Sequence, residues 1–161
     1  MMNRTLFILT ALFFGGSLQA QVKCNVSQPF VLIHKQTPGN IPVIEQVVVQ
    51  KPVATYVMQL FFNSTCNSLP VIKKLRINNK IIAATVEVND VTQPIGVNDD
   101  GTSIWLQKKE GRYYFKITLL LDETLYKKYK IPSLHLLLQQ HNKLFTRVSK
   151  NWKIIASPAA Y

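Results

Sequence analysis

The chain has 161 residues, 47% of them hydrophobic, with 19 Lys and Arg against eight Asp and Glu and a formal net charge of +11. It has only two cysteines, and beyond residue 20 no apolar run approaches the roughly 20 residues that a spanning helix needs. These values exclude a disulfide-dense mini-scaffold, a polytopic membrane protein and a low-hydropathy disordered chain, and leave room for one domain with a real core.

Residues 1–20 read as a cleavable secretory signal peptide. Met1-Met2-Asn3-Arg4-Thr5 carry one positive charge, Leu6 to Phe14 form a short apolar run, Gly15-Gly16 break it, and Ser17-Leu18-Gln19-Ala20 supply a small residue before the cut. The apolar run is about half a bilayer-spanning length, so no transmembrane span is expected after cleavage. The mature chain is expected to start at or near Gln21 and to form a single domain over 21–161.

Cleavage removes Arg4 and no acid, leaving 141 residues with a net charge of +10. Such a field attracts anions. For an exported chain these are an acidic protein or an anionic envelope component, such as a lipid headgroup or glycan, and not nucleic acid. Export also places Cys24 and Cys66 in an oxidising compartment, where an isolated pair is expected to bond. There is no Cys-x-x-Cys to suggest a redox pair.

Hydrophobic periodicity along the mature chain is mostly two. An early strand is expected over about 26–34, interrupted by Pro29. Segments 43–50 and 53–62 are rich in β-branched and aromatic residues and are separated by Pro52. Segments 71–78 and 80–88 flank Asn78-Asn79, a dipeptide suited to a tight turn because Asn tolerates positive φ. Segments 103–109 and 112–121 flank Glu110-Gly111, a second hairpin signature. A short helix near 122–129 is expected, capped by Asp122 or Thr124. Segment 133–147 reads as two strands, 134–139 and 144–149, turning at His141-Asn142-Lys143. Glycines and prolines punctuate the remaining gaps. The pattern predicts an all-β fold, a single antiparallel β-sandwich, immunoglobulin-like or related, of seven to nine strands.

The candidate binding site is the second hairpin. With Glu110-Gly111 as the two turn residues, Lys109 pairs with Arg112, Gln107 with Tyr114, Trp105 with Lys116 and Ser103 with Thr118. Alternation then puts Trp105, Lys109, Arg112, Tyr114 and Lys116 on one face, and Ile104, Leu106, Tyr113, Phe115 and Ile117 on the core face. Two aromatics among three cations suit a sugar ring or an anionic headgroup. Other basic groups, Lys73-Lys74 with Arg76, Lys127-Lys128 with Lys130, and Arg147, Lys150 and Lys153, read as solvated strand edges.

No catalytic or cofactor motif occurs. His34, His135 and His141 lack metal-ligand spacing, so no metal is expected. Asn98-Asp99-Asp100-Gly101 reads as a turn and not a calcium loop. The sequence therefore predicts a non-enzymatic binding protein of the periplasm or extracellular space, a class that includes inhibitor or immunity roles. Two alternatives remain: a small envelope hydrolase using carboxylates among Glu45, Glu87, Asp90 and Glu110, and a structural subunit assembling through sheet edges.

Overall fold

The computed structural model describes residues 23–36, 55–122, 126, 133–150 and 152–155. The expected signal peptide and the expected strand 43–50 lie outside them. So does the expected helix near 122–129, apart from Asp122 and Tyr126; the Tyr126 ring stacks on Tyr56 with centroids 3.8 Å apart.

The chain forms β1 (Phe30–Gln36), β2 (Thr55–Ser64), β3 (Val71–Ile77), β4 (Lys80–Ile81), β5 (Val86–Val88), β6 (Gly96–Val97), β7 (Ser103–Ile104), β8 (Tyr113–Asp122), β9 (Leu134–Gln140), β10 (Lys143–Ser149) and β11 (Lys153–Ile155). They assemble into a five-stranded sheet, β11-β1-β2-β8-β5, a four-stranded sheet, β10-β9-β3-β4, and a two-stranded ribbon, β6-β7. The two large sheets pack together as an all-β sandwich. Among the described residues every pairing of these strands is antiparallel except β1 with β11, which is parallel. No helix among the described residues is long and apolar enough to cross a membrane.

Period-two alternation builds the core. Met58, Leu60 and Phe62 of β2 and Phe115, Ile117 and Leu119 of β8 point inward against Leu75 and Ile77 of β3 and Leu134, Leu136 and Leu138 of β9. In β1 the run Val31-Leu32-Ile33 is buried throughout, because both of its faces are covered. Val31 and Ile33 join the core between the sheets, while Leu32 points the other way into a second cluster with Phe61 and Ile155. Ile95, Ile104 and Leu106 cover that second cluster. The segment 95–106 is thus a flap on the outer face of the five-stranded sheet. Gly96 lets it seat, since a Cβ there would lie 2.6 Å from Ile155 Cδ1.

The turns follow local chemistry. Asn78 and Asn79 both adopt positive φ, 47° and 67°, the pattern of a two-residue hairpin loop. His141 also has positive φ, 52°, in the turn that joins β9 to β10, so 133–147 forms the expected hairpin. Asn98–Gly101 is a tight turn closed by Gly101 N–H donating to Asn98 O at 3.0 Å.

Two strand expectations are corrected. Segment 80–88 is not one strand. It leaves the four-stranded sheet after β4, turns the corner with half-buried Ile82 and Ala84 packed on the core, and joins the five-stranded sheet as β5. Segment 103–109 does not pair with 112–121. Both edges of β8 are occupied, by β2 over Thr55–Ser64 and by β5, so β7 pairs with β6 instead. The Glu110-Gly111 turn does form, with Arg112 N–H donating to Lys109 O at 3.3 Å and Gly111 at φ 64°.

Candidate functional site

The residues of the expected hairpin face are separated by this topology. Trp105 lies on the flap, 56% exposed. Lys109 is exposed in the turn. Tyr114 is buried, and its hydroxyl donates to Gln107 O at 2.5 Å while accepting from the Lys109 N–H at 3.0 Å. That ring anchors the chain between flap and turn and does not stand free in solvent. Lys116 is held by Glu87 at 3.3 Å. Arg112, half-buried, lines a cleft of about 250 Å³ with Lys108, Tyr113, Asn89 and Asp90. A carboxylate in that cleft opposes an anion. Two hydrogen bonds from Thr92, hydroxyl and backbone N–H, hold the Asp90 carboxyl below the usual carboxylate range.

A second cleft of about 250 Å³ opens on the outer face of the four-stranded sheet, lined by Lys74, Arg76, Asn79, His135, Leu136, Leu137 and Thr146. Strand register assembles it. Arg76 lies opposite His135, Lys74 opposite Leu137, and Leu137 opposite Thr146. A bulge between Ile72 and Lys74 absorbs Lys73, the first of two adjacent lysines, so Lys74 and Arg76 share the outer face while Ile72, Leu75 and Ile77 pack inward. Asn79 enters from the β3–β4 turn. The Arg76 Nε is buried without a hydrogen-bond partner among the described residues, and no acid lines the cleft. A guanidinium whose Nε is unpaired in partly desolvated surroundings favours an anionic guest.

The same face carries an apolar fringe. Ile81 opposite Arg76 is 64% exposed, Val148 opposite His135 is 42%, and Val71 and Leu144, both opposite Gln139, are 56% and 63%.

Cys24 and Cys66 form the expected disulfide, with Cα atoms 5.3 Å apart. The His141 ring contacts this bond, with Nδ1 3.5 Å from Cys24 Sγ and 2.9 Å from Ser68 Oγ. Cys24, Cys66 and His141 have the proximity of metal ligands, but each sulfur is bonded to the other and offers no thiolate. His34 is on β1 and His135 on β9, so the three histidines are not grouped.

The chain matches no family model, no curated protein and no solved structure. The site is therefore read from chemistry alone. The sequence pattern marks Lys74 and Arg76 only as a solvated basic edge, and it assigns His135 no role, since no metal is expected there. The adjacent pair Lys73-Lys74 inside an alternating strand was the available clue, since one of the two must be bulged or face the core.

Proposed function

We propose that the chain is an exported, non-enzymatic binding protein of the periplasm or extracellular space that engages an anionic partner through a basic sheet face. The observation that carries this reading is the cleft of Lys74, Arg76, His135, Asn79 and Thr146 on the outer side of the four-stranded sheet, which no acid lines among the described residues. Export is supported by the order of residues 1–20 and by the Cys24–Cys66 disulfide. The non-enzymatic reading is supported by how three of the described carboxylates are used. Glu87 pairs with Lys116, and Asp90 and Asp100 accept hydrogen bonds from Thr92 and Thr102. The Arg112 cleft, which retains part of the expected hairpin site, is the weaker anion site because Asp90 lies in it.

The test is retention of the exported chain on immobilised polyglutamate at low and moderate salt. The Lys74→Glu and Arg76→Glu chains should elute earlier with unchanged far-UV circular dichroism. Loss of retention in Arg112→Ala or Lys116→Ala, with Arg76→Glu behaving as the wild type, would move the site to the other sheet. No retention of the wild type at low salt would overturn the anionic reading.

A further inference from the structure

We infer that the cleft between β3 and β9 takes the phosphate headgroup of an anionic lipid, with the open face of the four-stranded sheet lying on the bilayer surface. This rests on the anion-binding reading above and narrows it to one source.

The first argument is size and donor chemistry. At about 250 Å³ the cleft falls just below the range of roughly 300–1,000 Å³ that takes drug-sized ligands, which suits a headgroup. Arg76 carries a buried Nε with no hydrogen-bond partner among the described residues, and a guanidinium fork matches two oxygens of one phosphate. Lys74, two residues earlier on the same face, adds a compact charge. The Thr146 hydroxyl and the Asn79 amide add neutral donors from the flanking strand and turn.

The second argument is the fringe. A free phosphate needs only the cleft, and an acidic polypeptide gains little from aliphatic groups around it. Here Ile81, Val71, Leu144 and Val148 stand 42–64% exposed on the same face as the cations. Cations at the centre and aliphatic side chains around them form an interfacial surface: the cations meet phosphate while the aliphatic groups settle at the headgroup–acyl boundary. These apolar groups are costly to leave wet. Docking on a bilayer covers them and the cleft at once.

The test is co-sedimentation of the exported chain with phosphatidylcholine vesicles, with and without phosphatidylglycerol. Binding is expected only with phosphatidylglycerol. Arg76→Gln and Lys74→Gln should each lower partitioning about five-fold, the change one basic residue near an anionic surface is worth. The double change Leu144→Ser with Val148→Ser should weaken vesicle binding but leave inorganic phosphate titrated into the cleft unaffected, read by NMR shifts of β3 and β9 amides. Lys23→Gln, exposed and outside the cleft, should bind as the wild type. Phosphate shifts without vesicle binding would overturn the lipid source. Retention on polyglutamate without vesicle binding would overturn this inference and leave the anionic reading standing; loss of both would remove the two together.

Discussion

His34 and Gln140 show how single buried polar groups set the terms of stability. His34 is held below its ordinary value of 6.5 by burial, and its Nδ1 has no hydrogen-bond partner among the described residues. The folded chain therefore resists protonating it, and the unfolded chain binds more protons. Stability contributed by neutral His34 is complete above 6.5 and is lost as pH falls below that value toward the lower folded pKa. Urea midpoints measured from neutral pH down to about 5, above the carboxylate range, should fall for the wild type and fall less for His34→Leu. Parallel decline in the two chains would show that another group is responsible. Gln140 is 1% exposed. Its Oε1 accepts from the Ser64 hydroxyl at 2.5 Å, and its Nε2 donates to Cys66 O at 3.1 Å and to Ser68 O. The side chain thus ties the end of β9 to the end of β2 and to the disulfide loop. Gln140→Leu strands that hydroxyl and two carbonyls, and should cost about 1–3 kcal/mol. Urea denaturation is the measure, and a wild-type midpoint would show that water replaces the amide without loss.

At the scale of elements, the flap is seated by a close apolar fit and by the Lys153 ammonium of β11 donating to Asn98 Oδ1. Its floor is Leu32, Phe61 and Ile155, and Gly96 sits where any Cβ would strike Ile155 at 2.6 Å. Gly96→Ala should lift the flap where Ile155 Cδ1 cannot swing aside, at a cost of about 1–3 kcal/mol. Limited proteolysis should then cut within 98–112 faster than in the wild type, while retention on polyglutamate, which the proposed site on the other sheet would carry, stays unchanged. Uncut flap with full stability would show that Ile155 simply changes rotamer. The same element explains what the sequence could and could not convey. Alternation located β1, β2, β3, β8, β9 and β10, and Asn78-Asn79, Asn98–Gly101 and Glu110-Gly111 are turns, because periodicity and turn chemistry are local properties. Glu110-Gly111 could not choose the partners of β8, since a turn fixes chain direction and not which distant strand arrives first at an edge. Ile104 and Leu106 likewise read as core without revealing that theirs is a second core. The cleft depends on β3 pairing with β9 and on a bulge in β3, so Lys74, Arg76, His135 and Thr146 meet only after non-local pairing is complete.

For the whole molecule, the decisive connection is at the end where the two sheets are sewn together by the segment around Cys24. The disulfide joins it to Cys66 across a sequence separation of 42. Ser27 N–H donates to Asn63 O at 2.9 Å and Thr65 N–H to Asn25 O at 3.1 Å, which fix the segment to β2 in the five-stranded sheet. Arg147 Nε of β10 donates to Val26 O at 3.1 Å, and the Gln28 amide donates to Val148 O, which fix it to the four-stranded sheet. Arg147 is therefore spent on the fold and does not add to the cationic face of Lys74 and Arg76. A loop of this length is worth about 4 kcal/mol when closed by a disulfide, against a total stability of about 5–15 kcal/mol for a domain. The Cys24→Ser, Cys66→Ser chain should accordingly lose about 4 kcal/mol in urea denaturation. The loss must appear as a shift of the midpoint, with the slope changing only through a more expanded unfolded chain. Reductant added to the wild type should reproduce it. A reduced chain with an unchanged midpoint would place the stability in the hydrogen bonds of Ser27, Thr65 and Arg147, and would free the fold from any need for an oxidising compartment.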